Sequence, residues 1–155
     1  MNEKPFEILL PDKRWAPTQS QMDIFQNAYE KLLPPLVYKI RLAVEKWRED
    51  GYKGASATSL SLLNFWFNQE HLIRQLKFGF FFAQREAVES IIYLYEVVKA
   101  KDKYELMRFD SSERVSAGMF DENWTRYVVK MATGTGKTKV IGLILVWSYF
   151  HKLYE

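Results

Sequence analysis

Residues 126–138 read Arg-Tyr-Val-Val-Lys-Met-Ala-Thr-Gly-Thr-Gly-Lys-Thr, and the interpretation of this chain starts from them. The apolar run before the glycines is typical of a buried strand, and the chain from Gly136 to about Tyr149 has the apolar content of a helix. A strand that runs into a glycine loop and then a helix is the order that a phosphate-binding loop requires. We therefore predict a strand over 124–131 that leads through the loop into this helix.

Each part of the loop suits a specific role in holding a phosphate. Gly134 and Gly136 let the backbone turn tightly and direct N–H groups at phosphate oxygens, since a side chain there would block the approach. Lys137 would place its ammonium group against the β- and γ-phosphates, and the Thr138 hydroxyl would complete the coordination of Mg²⁺. The pattern predicts ATP and Mg²⁺ as cofactors, Lys137 and Thr138 as catalytic residues and Thr138 as the magnesium ligand. The predicted nucleotide-binding residues of the loop are Thr133, Gly134, Thr135, Gly136, Lys137 and Thr138.

The loop departs from the strict phosphate-loop pattern at its first position. That pattern begins with glycine, and this chain has Met131 there. An incidental glycine turn is therefore the alternative interpretation. The apolar strand pattern before the loop and the apolar helix after it favour a nucleotide site over that alternative. The free amides at the start of that helix, with its positive dipole end, add to the anion site.

Residues 131–138, Met-Ala-Thr-Gly-Thr-Gly-Lys-Thr, resemble motif I of superfamily 2 helicases and translocases, whose loops often open with a residue other than glycine. Within that superfamily they look most like the restriction subunit of type III restriction enzymes and related DEAD/DEAH-type proteins. Such proteins also place a glutamine upstream, at the start of a helix, and residues 82–88 resemble that element. The resemblance implies that Gln84 hydrogen-bonds the adenine and that Phe82 packs near the base. A glutamine in the first turn of an ordinary helix is the alternative.

The same resemblance carries expectations about fold and function. It implies an α/β fold in which a mostly helical leader precedes the first β-loop-α unit of a RecA-like P-loop NTPase lobe, with an incomplete sheet. The chain would be the N-terminal part of an ATP-dependent DNA helicase or translocase of a type III restriction-modification-like system. Its partners would be DNA and a methyltransferase subunit.

Hydrolysis by such a motor needs a later strand ending in an acidic residue, which the chain after Thr138 does not contain. We therefore expect a piece of a longer protein that by itself binds ATP weakly, hydrolyses nothing and tends to aggregate. The helix after the loop is apolar around nearly its whole circumference, so we expect it to be packed in a large interior.

Two other functions fit the same residues. The first is a helical protein-interaction module over 18–98 whose nucleotide-binding loop is vestigial or regulatory, because amphipathic helices dock partner proteins. The second is a P-loop ATPase or kinase unrelated to nucleic acid, since a loop alone does not identify the reaction.

The rest of the chain divides into three predicted regions. Residues 1–17 read as an extended arm, 18–78 as a helical leader and 79–155 as the start of the motor lobe, with an insertion at about 99–123. Within the leader we predict helices over 18–33, from Leu36 to Gly51, and over 62–67, with 51–61 as a connector. A further helix is predicted from Gln84 to about Lys99, after an extended aromatic segment over 78–82.

Composition excludes several classes of function. The 155 residues include no cysteine and two histidines, so a disulfide framework and a thiolate or typical structural zinc site are ruled out. Neither His71 nor His151 has an acidic or thiol partner at ligand spacing, and we predict both to be non-catalytic. The net charge of +3 permits a polyanionic partner without requiring one. No apolar run approaches the ~20 residues that span a bilayer, and we expect a cytoplasmic protein that does not enter the membrane.

Overall fold

The computed structural model describes residues 36–110 and 128–155. These form a mostly helical α/β structure with one small antiparallel sheet. The elements, in chain order, are α1 (Val37–Glu49), α2 (Ala57–Asn68), β1 (His71–Ile73), β2 (Leu76–Phe78), α3 (Phe82–Ile92), a π-helical turn (Tyr93–Val97), α4 (Lys103–Met107) and α5 (Lys137–Tyr154).

Local capping groups set the start of two helices. The Ser56 hydroxyl accepts a hydrogen bond from the Ser59 amide at 3.1 Å and so satisfies one of the free N–H groups that begin α2. The Asp102 carboxylate does the same for α4, accepting from the amides of Tyr104 and Glu105. The predicted connector over 51–61 is therefore wrong after Ser56, where α2 begins, and the predicted insertion at about 99–123 contains the short helix α4.

A β-hairpin that the sequence did not predict lies between α2 and α3. Its strands pair His71 with Phe78, Leu72 with Lys77 and Ile73 with Leu76. Arg74 and Gln75 form the two-residue turn, both with positive φ, as the tightest hairpin turns require. The usual turn residues Asn and Gly are missing at these positions, so the segment lacked a recognisable hairpin signal.

Helix α3 lies at the centre of the described structure and contacts α1, α2 and α5. The core between these helices is mostly aromatic and aliphatic, and the side chains it buries include Trp47, Tyr52, Leu63, Trp66, Val88, Ile92, Val140, Leu143 and Trp147. The helix predicted from Gln84 to about Lys99 is confirmed in position, but its last turns form the π-helical turn. The helix predicted to end at Gly51 is also confirmed, since Gly51 adopts φ +68 just after α1.

Helix α5 buries one face and exposes the opposite one. Val140, Leu143 and Trp147 point into the core, whereas a stripe at four-residue spacing is exposed, formed by Ile141, Leu145, Tyr149 and Leu153. The described residues thus cover one face of α5, and the expectation that this helix belongs in a large interior stays a prediction. The helix also continues five residues beyond the predicted end at Tyr149.

The predicted strand over 124–131 is not formed where the structure describes it. Residues 128–131 adopt no strand, and the Val128 side chain is 90% exposed. A strand needs a neighbour to pair its backbone groups, and no described strand lies beside this segment. The predictions for 1–17, for the helix over 18–33 and for most of the insertion at 99–123 fall outside the described residues.

Candidate functional site

The glycine loop forms a tight turn immediately before α5. Gly134 and Gly136 both have φ +83, a left-handed conformation that is strained for residues with a side chain. Gly136 is also the residue that precedes the first turn of α5, and no side chain caps that helix. The backbone geometry therefore depends on both glycines, as the sequence predicted.

Backbone amides without acceptors are concentrated in this turn. Within residues 36–110 and 128–155, the N–H groups of Gly134, Gly136, Lys137 and Thr138 have no hydrogen-bond acceptor. The first N–H groups of any helix lack intrahelical partners, and here the glycine turn adds two more beside them. Together with the positive end of the helix dipole they form a group of donors suited to an anion.

Charge around the loop has one sign. From residue 123 to residue 154 the sequence contains no acidic residue, while Lys130, Lys137 and Lys139 flank or belong to the loop. Lys139 lies over the Phe78 ring with its ammonium nitrogen 4.2 Å from the ring centroid, so β2 sits beside the start of α5. Within this segment, an anion at the loop would therefore meet lysines and no carboxylate.

The Lys137 side chain folds back over its own loop. Its ammonium nitrogen donates to the carbonyl oxygens of Met131 at 3.1 Å and Ala132 at 3.0 Å, and the side chain is exposed. Ala132 also accepts from the Thr135 hydroxyl at 2.7 Å. An ammonium group has three N–H donors, so Lys137 retains one while it closes the loop.

Thr133 and Thr138 are exposed at the mouth of the loop, where a phosphate or its counter-ion would arrive. In the described part of the chain, no group of three or more His, Asp or Glu side chains is placed to hold a metal ion.

Gln84, predicted to belong to the same site, is brought against the loop from 51 residues away in the sequence. Its side-chain nitrogen donates to the Thr135 carbonyl oxygen at 2.9 Å, and its side-chain oxygen accepts from the Phe81 amide at 3.0 Å. The side chain is 1% exposed. The predicted proximity of these segments is thus present, while contact of Gln84 with adenine stays a prediction.

Phe82 begins α3, the helix that carries Gln84. It is buried, and the Arg48 guanidinium carbon stands 5.2 Å from its ring centroid. Stacking on Arg48 couples Phe82 to α1. Its predicted packing near a nucleotide base is not tested by this arrangement.

A buried charge cluster that sequence reasoning missed holds α3 in place. The Glu89 carboxylate is fully buried and accepts hydrogen bonds from Arg48 at 3.0 Å, Arg85 at 2.7 Å and the Tyr52 hydroxyl at 2.6 Å. Burial disfavours the charged form of Arg48, but the hydrogen bond and charge of Glu89 outweigh it and raise the pKa of Arg48 above its usual value. The sequence signal available was the Arg85–Glu89 spacing of four residues on one helix.

A second polar cluster joins α2, the π-helical turn and α5. The Glu96 carboxylate accepts hydrogen bonds from the Ser56 amide at 2.9 Å and from the Ser59 hydroxyl, and it lies 3.0 Å from His151 Nε2. His151, for which the sequence showed no acidic partner at ligand spacing, therefore has one in the fold. Its ring also contacts Tyr95 and Trp147, which places it in the packing of α5 at the end opposite the loop.

Comparison of the chain with protein-family models, with curated proteins and with solved structures returned no match. The likeness of residues 131–138 to motif I thus stands on those residues alone. In 36–110 and 128–155, no helix combines the length and apolar content needed to cross a bilayer.

Proposed function

We propose that the loop from Ala132 to Thr138 binds the phosphates of ATP with Mg²⁺. The observation that carries this proposal is the set of unpaired amides at Gly134, Gly136, Lys137 and Thr138, gathered at the start of a helix. Donors of this kind bind anions with both hydrogen bonds and the helix dipole. Free amides occur at the start of any uncapped helix; the free Gly134 amide and the adjoining Lys137 are what favour an anion here.

Each loop residue then has a defined role. The amides from 134 to 138 surround the β-phosphate, and Lys137 exchanges its two carbonyl partners for β- and γ-phosphate oxygens. Thr138 contributes its hydroxyl to Mg²⁺, and Thr133 and Thr135 line the loop. Lys137 and Thr138 are the residues that would act on the reacting phosphate, because they neutralise and orient it.

The nucleotide site belongs, in this proposal, to a cytoplasmic ATP-dependent DNA helicase or translocase of the type III restriction kind. The support is the sequence likeness at 131–138 and at 82–88, together with the packing of Gln84 against the loop. On this proposal residues 79–155 begin a RecA-like lobe, DNA is the track, and a methyltransferase subunit is a partner.

Titration calorimetry of the 155-residue chain with ATP, with and without Mg²⁺, tests nucleotide binding. Lys137→Ala should weaken binding by at least tenfold. Lys152→Ala is the matched control, because it removes the same charge from the same helix roughly 22 Å along its axis, and it should bind as the wild type does. Equal affinities of the wild type and Lys137→Ala would reject the site.

The second candidate is the helical protein-interaction module over 18–98 with a vestigial or regulatory loop. The exposed apolar stripe of α5 lies outside that range and would add a docking surface to such a module. This candidate predicts association with another protein chain that does not depend on nucleotide. Leu145→Asp, in the centre of the stripe, should abolish such association, whereas Lys152→Asp should not. A chain that associates in this manner and binds no ATP would favour the module over the motor.

A further inference from the structure

The amide oxygen and nitrogen of the Gln84 side chain are both hydrogen-bonded to backbone atoms. A primary amide offers two N–H donors and one oxygen acceptor. One donor is bound to the Thr135 carbonyl oxygen, the acceptor is bound to the Phe81 amide, and the side chain is 1% exposed. To hydrogen-bond the edge of an adenine, this amide would have to move out of its buried position and break at least one of these hydrogen bonds.

The Gln84 amide also packs directly against the loop backbone. A Cβ atom added at Gly136 would lie 2.2 Å from the Gln84 side-chain nitrogen. Only glycine therefore allows this approach, and the requirement for glycine at 136 comes from Gln84 as well as from the positive φ.

The bond to Thr135 controls a peptide group of the proposed phosphate site. Because a trans peptide is planar, its carbonyl oxygen and the following N–H point in opposite directions. Gln84 holds the Thr135 carbonyl on its own side of the loop, so the Gly136 N–H points away from Gln84. That N–H is one of the four unpaired donors described above.

We propose that Gln84 is a positioning residue for the phosphate loop. By fixing the Thr135–Gly136 peptide, it directs the Gly136 N–H at the phosphate. Gln84 therefore contributes to the affinity for a triphosphate whichever base the triphosphate carries. This inference rests on the proposed function. It departs from the adenine-reading role that the family resemblance implies, and the two roles predict different ligand dependence.

Calorimetric titration of the 155-residue chain with Mg²⁺-ATP, Mg²⁺-GTP and inorganic tripolyphosphate separates the roles. Gln84→Met removes both hydrogen bonds with little change in shape. Gln84→Met should weaken all three ligands by the same factor, roughly tenfold, as expected for a lost hydrogen bond that leaves a buried carbonyl unpaired.

The result that would overturn the inference is a loss confined to ATP, with tripolyphosphate affinity unchanged and the preference between ATP and GTP altered. A Gln84→Met variant that binds all three ligands as the wild type does would also overturn it while leaving the loop as a phosphate site. A wild-type chain that binds none of the three ligands would instead reject the proposed function.

A measurement on the wild type covers the case in which a variant does not fold. The side-chain amide resonances of Gln84 in a nitrogen-15 spectrum should respond similarly to ATP and to tripolyphosphate if Gln84 positions the loop. A shift produced by ATP alone would show that Gln84 meets the base.

Discussion

Trp147 donates its indole N–H to the Ser59 hydroxyl at 2.7 Å, and this buried hydrogen bond joins α5 to α2 across 88 residues of sequence. Ser59 in turn donates to the Glu96 carboxylate, so one hydroxyl connects two helices and the π-helical turn. The helix that follows the glycine loop is therefore held in its second half, at Trp147, by a polar contact as well as by apolar packing.

Ser59→Ala should lower the free energy of unfolding by about 2 kcal/mol, because it leaves the buried Trp147 N–H without an acceptor. Ser61→Ala is the matched control, since Ser61 lies on the exposed face of the same helix. Urea unfolding of both variants measures the difference. Equal stabilities would show that the hydrogen bond is energetically irrelevant.

The pH dependence of stability should report the buried Tyr52 hydroxyl. Burial, together with the charge of Glu89 and the hydrogen bond to it, raises the pKa of Tyr52 to about 12. A tyrosine in an unfolded chain ionises near pH 10, so between about pH 10 and 12 the unfolded chain loses this proton while the folded chain retains it. Stability is then complete below pH 10 and decreases by up to about 2–3 kcal/mol as the pH rises to 12.

Other groups also titrate at alkaline pH, so the contribution of Tyr52 to stability is obtained by comparing the wild type with a variant that lacks the Tyr52 hydroxyl. Urea midpoints of the wild type and Tyr52→Phe should converge as the pH rises from 10 to 12. Tyr149→Phe, which removes an exposed hydroxyl, should retain the wild-type decrease. Parallel curves for the wild type and Tyr52→Phe would contradict the assignment.

Substitutions at the two loop glycines separate the energetic cost of backbone strain from the cost of a steric clash. Gly134 and Gly136 share φ +83, but a Cβ atom at Gly134 would meet nothing within 4 Å, whereas one at Gly136 would collide with Gln84. Gly134→Ala should lose about 1–2 kcal/mol from backbone strain alone, and Gly136→Ala should lose more.

A double variant completes that comparison. Gln84→Ala should recover part of the additional loss in the Gly136→Ala background, because it removes the colliding amide. Thermal and urea unfolding of Gly136→Ala, Gln84→Ala and the double variant complete a double-mutant cycle. Equal losses for Gly134→Ala and Gly136→Ala would mean that Gln84 does not constrain the loop.

Helices α1, α3 and α5 and the glycine turn could be predicted from local sequence patterns. Periodic apolar residues located α1 and α3, and the glycines before Lys137 located the start of α5. Proximity of Gln84 to the loop came from the family resemblance, because nothing in the spacing of residues 51 positions apart indicates a contact.

Long-range pairing is the part that the sequence did not reveal. The sequence around Glu89 is typical of a solvent-facing helix residue. Its hydrogen bond with Arg48, 41 residues earlier, is visible only in the fold. The hairpin lacked its usual turn residues, and Val128 and Val129 resembled a strand although a strand forms only beside a partner. For Glu89 and for the predicted strand the deciding contact involves a distant segment, whereas the hairpin is local and was missed because of its unusual turn residues.

The most direct test of the central claim is a nitrogen-15 NMR titration of the 155-residue chain with inorganic tripolyphosphate. Binding at the loop predicts saturable shifts concentrated in the backbone amides of Gly134, Gly136, Lys137 and Thr138, and their loss in Lys137→Ala. Saturable shifts confined to other segments, or amides at 134–138 that do not respond at millimolar ligand, would contradict the account.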